Sequence, residues 1–215
     1  MQKSLQVWQF IYNCLQQATP AILLYVVESK GSSPGRQGFF MAVNRNGEME
    51  GSIGGGIMEH KFVEMAKEQL RQTDEHTTGG SIKKQIHDKS AGSNQSGMIC
   101  SGEQTIILLS ITEKDETVVK SIISSLQQNK NGTLTLSPGF ISFEDKIPAK
   151  NYKFQFHTEQ EWIYREKTGY KQQLFIVGGG HCALAFSKLM QDLDFYITLY
   201  EERENLNTLV KNEFV

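Results

Sequence analysis

Four apolar residues, Leu174-Phe175-Ile176-Val177, run without a break into Gly178-Gly179-Gly180-His181-Cys182-Ala183. Leu184, Phe186, Leu189 and Met190 continue at helical spacing, and Phe195 to Tyr200 then forms a second strand-like run ending at Glu201. Strand, G-x-G-x-x-A, helix, strand and acidic residue in this order define the start of a Rossmann-type unit. Each position has a physical task. Gly178 permits the tight turn, and Gly180 lets a pyrophosphate approach the backbone. Ala183 lets the helix pack close to the strand, and Glu201 is placed to hold a ribose hydroxyl. The bland alternative is a glycine turn that only packs strand on helix. The chain reaches Val215 just inside what reads as the next helix, so the expected unit is partial.

Ahead of it lies a longer region punctuated by glycine. Leu5, Trp8, Tyr12 and Leu15 recur at helical spacing. Ala21 to Glu28 reads as a buried strand, and residues 29–38 read as a loop dense in turn residues. Phe39 to Val43 and Glu48 to Ser52 flank Asn46-Gly47, a strong hairpin signal. Gly51-Ser52-Ile53-Gly54-Gly55-Gly56 then opens onto a helical pattern through Phe62, Val63, Ala66 and Leu70. Thr77 to Gly80 reads as a turn, Ser81 to His87 and Gln104 to Ile111 as strands, and Thr117 to Leu126 as a helix. Short strands are expected around Pro138-Gly139, and an aromatic hairpin over Phe154 to Tyr164. The expected class is α/β: a mixed domain over residues 1–168, then the Rossmann-type start over residues 169–215.

Composition narrows the function classes. The 215 residues are 39% hydrophobic and 21% charged, ordinary for a globular protein. A formal net charge of −2, with no basic aromatic-laced run, argues against nucleic acid as a partner. The longest apolar run, Ala21 to Val27, is too short to span a bilayer. Cys14, Cys100 and Cys182 are far apart and form no C-x-x-C pair, so neither a disulfide framework nor a structural zinc site is expected. A cytoplasmic setting follows as an expectation. Cys14 is expected in the core, and Cys182 is read as structural rather than reactive.

Three segments stand out together: Glu28-Ser29-Lys30-Gly31-Ser32-Ser33-Pro34-Gly35-Arg36, Gly51-Ser52-Ile53-Gly54-Gly55-Gly56-Ile57-Met58-Glu59 and Gly97-Met98-Ile99-Cys100-Ser101-Gly102-Glu103. In this pattern the chain resembles the XdhC/CoxI family, the xanthine dehydrogenase accessory factors. The G-S-S-P loop and the G-S-x-G-G-G-x-x-E segment carry the resemblance most specifically. The third segment is similar to the family's C-G-G motif, with Ser101 in place of the first glycine. The resemblance implies a chaperone-like accessory factor, not itself the dehydrogenase, that binds molybdenum cofactor (molybdopterin). It also implies a C-terminal Rossmann domain longer than the piece present, homodimers, a xanthine dehydrogenase-type molybdoenzyme as partner and a cysteine desulfurase in the same company.

The residue chemistry can be matched to that cofactor, a pterin with a terminal phosphate and a dithiolene-bound metal. Backbone N–H groups at Gly54, Gly55 and Gly56, at a helix start, suit a phosphate. Ser32 and Ser33 supply hydroxyls, and Glu59 is suited to the pterin's planar donor edge. Cys100 is a soft ligand for molybdenum or a handler of sulfur. Each has a plainer reading: a positive-φ turn for the glycines, helix-dipole decoration for Glu59 and a small buried hydrophobe for Cys100. Arg36 and His181 reach toward an anion in one reading and are a solvated loop residue and a helix cap in the other. Two rival functions stay open. One is an NAD(P)-dependent oxidoreductase built on the Rossmann unit, although no proton-relay pair is evident. The other is an interaction module that holds no nucleotide.

Overall fold

The computed structural model describes residues 3–72, 80–86 and 102–215. Helix α1 (Lys3–Gln16) is followed by β1 (Ala21–Gly31), β2 (Phe40–Asn44) and β3 (Met49–Gly51), then α2 (Gly56–Gln72), β4 (Ser81–Ile86) and β5 (Gly102–Ile111). The five strands form one antiparallel sheet in the order β3-β2-β1-β5-β4. Helix α3 (Glu116–Gln127) leads to β6 (Thr133–Ser137), β7 (Phe140–Glu144), β8 (Tyr152–Thr158) and β9 (Glu161–Lys167). These four make a second antiparallel sheet, ordered β7-β6-β9-β8.

Strand β1 explains the layering. It is buried from Ala21 to Val27, and alternate side chains serve opposite faces. Ile22, Leu24 and Val26 join Phe62, Ala66 and Leu70 of α2 in one apolar cluster. Leu23, Tyr25 and Val27 join Trp8 and Ile11 of α1, Val119 and Ile122 of α3, and Leu134, Trp162 and Tyr164 of the second sheet. The five-stranded sheet is therefore covered on both faces, which is why β1 carries an unbroken apolar run rather than an alternating one. Asn46-Gly47 does make the β2–β3 turn, with the Asn44 side-chain oxygen accepting from the Asn46 and Glu48 N–H groups.

The strand expected to end at Glu28 continues to Gly31, because Ser29, Lys30 and Gly31 pair with Gln104, Glu103 and Gly102 of β5. The ladder, not turn propensity, decides that boundary. The expected turn at Thr77 to Gly80 and the loop delivering Cys100 lie outside the described residues, apart from Gly80.

The C-terminal segment follows the expected order. Strand β10 (Gln172–Val177), helix α4 (His181–Asp192), strand β11 (Phe195–Tyr200) and the short helix α5 (Asn207–Val210) succeed one another. Strands β10 and β11 pair in parallel, Gln172 opposite Phe195 and Val177 opposite Tyr200. Neither apolar cluster of the preceding region contains a residue from this segment. Among the described residues, no helix is long and apolar enough to cross a membrane.

Candidate functional site

The first two segments singled out in the sequence converge with the described end of the third, Gly102 and Glu103. Strand pairing sets Gly31 opposite Gly102 and Lys30 opposite Glu103, joining the first segment to the end of the third. The second segment packs into the first. A methyl group on Gly35 would lie 2.0 Å from the Ile53 carbonyl oxygen, and one on Gly54 would lie 2.5 Å from the Gly35 nitrogen. Gln104, fully buried, closes the arrangement by donating from Nε2 to the Ile53 carbonyl at 3.1 Å. Close backbone approach therefore explains glycine at 35 and 54, and Gly54 also has φ +128°.

Glu59 organises the glycine loop from the first turn of α2. Its Oε2 accepts from Ser52 Oγ at 2.7 Å and from the N–H groups of Ile53 and Gly55 at 3.0 Å each. Ser52 Oγ in turn accepts from Gly54 N–H at 3.1 Å. Two of the three glycine N–H groups expected to cradle a phosphate thus already face oxygens of the protein itself. Space above Gly55 is open: a methyl group there would meet no atom within 4 Å. Gly56, with φ +70°, begins α2.

In the first segment, Ser33 is buried and donates its hydroxyl to the Gly35 carbonyl at 3.0 Å, whereas Ser32 is exposed. Arg36 is exposed and donates to the Gly31 carbonyl at 3.0 Å. Cys100 lies outside the described residues, so its candidate role receives no geometry. Among the described residues, no cluster of three or more His, Cys, Asp or Glu side chains is arranged to hold a metal ion.

At the Rossmann-type start, Gly178 turns the chain with φ +98°, and its N–H donates to the Tyr200 carbonyl at 2.8 Å. Open space lies over both Gly178 and Gly180, while Ala183 is buried on α4. Gly180 caps the helix, and His181 is its first residue. Glu201 is bonded within its own turn. Its Oε2 accepts from Gly179 N–H at 2.6 Å and from an Arg203 guanidinium N–H at 2.8 Å; its Oε1 accepts from Arg203 Nε and backbone N–H at 2.9 and 3.0 Å. Hydrogen bonds from the guanidinium and these backbone N–H groups hold the carboxyl well below the usual carboxylate range. A ribose hydroxyl at Glu201 would have to share it with Arg203. Cys182 stands exposed at the helix start, whereas Cys14 is buried and its thiol is pushed up by desolvation.

One cluster escaped the sequence. Glu166, 3% exposed, accepts from Tyr25 Oη at 2.7 Å and Tyr164 Oη at 2.6 Å, and pairs with Lys171. Lys171 also lies over the Tyr152 ring, 4.6 Å from its centre. Burial and the Glu166 carboxylate raise both phenols well above their ordinary value. At Lys171 burial opposes the charge, but Glu166 outweighs it and the ammonium is retained more firmly than usual. Tyr164 and Glu166 sit two apart on β9, hence on one face, and that spacing was the available signal. Nothing in the sequence showed that this face was buried.

A glycine-loop cluster on a doubly covered antiparallel sheet, followed by a Rossmann-type start, is the class that the fold defines. Residues 14–78 match the model of the XdhC and CoxI family, which bears out the resemblance carried by the first two segments. A crystal structure described as that of a xanthine dehydrogenase from Bacillus halodurans is similar, with a TM-score of 0.61 and 15% identity. The likeness covers 93% of this chain and 62% of that one, so the chain spans less than two thirds of its length. At that identity the likeness is one of fold. No curated protein matches the sequence.

Proposed function

We propose that the chain is an accessory protein that binds molybdenum cofactor and serves a xanthine dehydrogenase-type molybdenum hydroxylase. The convergence of the first two segments with Gly102, at Gly31–Gly102 and Gly35–Gly54, carries this reading. The family match over residues 14–78 supports it, and so does the likeness to a protein described as a xanthine dehydrogenase.

The residues fit a phosphate-bearing, planar cofactor. Open space over Gly55 lets an anion reach the head of α2, where the Gly54 and Gly55 N–H groups would turn to it from Ser52 and Glu59. In this reading Glu59 acts by shaping the loop, since its Oε2 already holds three donors. Ser32 supplies an exposed hydroxyl next to Ser33, which holds Gly35 in place. Cys100, two residues before Gly102, contributes the soft thiolate. Bound there, the cofactor would supply the oxygen-transfer and redox chemistry of the enzyme that receives it. The protein's own part is to bind, orient and shield. A cysteine desulfurase as second partner, a homodimer and a cytoplasmic setting belong to the same proposal.

Reconstitution tests it. A cofactor-free molybdenum hydroxylase is incubated with limiting molybdenum cofactor, with and without this chain. The chain is expected to raise the yield of active enzyme, and Cys100→Ala to remove that gain. Equal yields with and without the folded chain would reject the accessory role.

The fingerprint Gly178, Gly180, Ala183 supports a second reading, nucleotide binding at the Rossmann-type start, including NAD(P) as an oxidoreductase would use it. Open space over Gly178 and Gly180 favours it. Titration with NADH, followed by fluorescence energy transfer from protein to nicotinamide, tests it. Absence of transfer at millimolar NADH would remove it.

A further inference from the structure

A cavity of about 790 Å³ opens where the two antiparallel sheets and the C-terminal segment meet. That volume falls within the range that accommodates small organic ligands, roughly 300–1,000 Å³. It lies apart from the fingerprint. It meets β10 and β11 at Gln172 and Phe195, the strand starts, whereas Gly178 and Glu201 lie beyond the opposite ends. Arg36 and Ser52 bring the first two glycine segments to its wall.

Its chemistry is specific. Tyr25, Phe39, Phe40 and Tyr152 give aromatic walls, with Tyr25 stacked on Phe40 at 4.8 Å between ring centres. Tyr25 and Glu166 of the buried network, with Lys171, also border the cavity. Glu166 is engaged by two phenols and Lys171, so it has little left to offer a ligand; Lys171 is bonded to Glu166 and to the Tyr152 hydroxyl, and with 28% of its side chain exposed it has its third ammonium hydrogen to offer. Lys3, Arg36 and Lys167 add positive charge; Lys3 is set against Asp194, whereas Arg36 and Lys167 make no carboxylate ion pair among the described residues. Opposing them, Asp194 accepts from the Lys3 backbone and is set against the Lys3 and Lys171 charges, so with Glu166 taken by Lys171 the cations Arg36 and Lys167 face Glu50 as the one remaining lining carboxylate. The balance is cationic and the walls are aromatic, the combination that suits a flat ring carrying an anionic group.

The geometry points to a second ligand site in this cavity, for a small aromatic anion whose carboxylate or phosphate meets Lys171 and whose ring lies against Phe39 and Tyr152. Glu166 is held by Tyr25 from β1 and by Tyr164 on its own strand, and it fixes Lys171 in turn, so this wall of the site is already formed. It stands apart from the molybdenum reading and neither requires it nor follows from it.

Calorimetric titration of the full chain with 2-naphthoate, and with neutral 2-naphthylmethanol for comparison, tests the site. The expectation is one naphthoate per chain, with the alcohol at least tenfold weaker. Phe39→Ala, at a side chain 44% exposed and so removable without opening the core, is expected to weaken naphthoate at least fivefold. Lys171→Met is expected to erase the difference between acid and alcohol. Val177→Asp, on the open face of β10 at 87% exposure, is expected to leave binding unchanged. Failure of folded protein to bind naphthoate would overturn the proposal. So would binding that Phe39→Ala leaves intact, or that Val177→Asp removes.

Discussion

Gly35→Ala tests the interlock between the first two glycine segments. The added methyl would sit 2.0 Å from the Ile53 carbonyl oxygen and 2.5 Å from Gln104 Nε2, both fixed and one of them backbone. Overpacking of this kind costs about 1–3 kcal/mol. Forcing the loop apart would also strain or break the buried Gln104 bond to Ile53, a further loss of about 1–3 kcal/mol. The expected total is about 4 kcal/mol, or a fall of ~8–16 °C in melting temperature for a chain of this size. Gly55→Ala is the control. Its φ is +76°, but the methyl would enter open space. Left-handed backbone alone should cost about 1–2 kcal/mol, or ~2–8 °C. Scanning calorimetry of both variants beside the parent chain decides the matter. If Gly35→Ala melts within two degrees, roughly the effect of ~1 kcal/mol, of Gly55→Ala, the segments do not interlock as described.

Four further outcomes are expected. Tyr25→Phe removes one of the phenols holding Glu166, and urea unfolding should show a loss of about 1–3 kcal/mol; an unchanged midpoint would mean the network is loose. The raised phenols of Tyr25 and Tyr164 favour the folded state fully below the ordinary tyrosine value of 10.0, and that advantage shrinks as pH rises past it. Alkaline unfolding should therefore begin near that pH, and an absorbance titration showing both phenols ionising at 10 in folded protein would contradict the buried cluster. The depressed Glu201 carboxyl works in the other direction: its stabilisation is complete above the ordinary glutamate value of 4.5 and is lost as pH falls below it. Glu201→Gln should therefore lower stability at neutral pH and flatten the acid limb of the stability curve, and an acid limb as steep as the parent's would contradict this. Cys182, exposed, should react with a disulfide reagent well before buried Cys14, as read by peptide mass mapping, and equal rates would place Cys14 at the surface.

Much of the fold was legible because local pattern and tertiary demand agree. The helical spacing of Leu5, Trp8 and Leu15 became α1, and the run from Leu174 to Tyr200 became a parallel strand–helix–strand unit. Differences arise where partners distant in sequence decide. Strand β1 continues through Ser29-Lys30-Gly31 because β5 offers a ladder to pair with, which turn propensity cannot register. Glu59 is a plausible ligand in the sequence, yet its carboxylate turns back to its own loop, since the fold brings Ile53 and Gly55 N–H groups within 3.0 Å. Glu166 and Lys171 look like ordinary surface charges until the second sheet closes over Tyr25. Cys182, read as structural, is exposed at the start of α4, because the side of that helix that packs inward is marked by Ala183 and Ser187 instead.

The central claim is that the converged glycine segments bind molybdenum cofactor. Its most direct test is retention: anaerobic protein is mixed with purified molybdenum cofactor, passed through ultrafiltration, and analysed for molybdenum and for pterin. The account predicts that both are retained in equal amounts, about one per chain, and that Cys100→Ala lowers retention while the protein stays folded. Passage of molybdenum and pterin through the membrane, with the parent chain folded by circular dichroism, would contradict it.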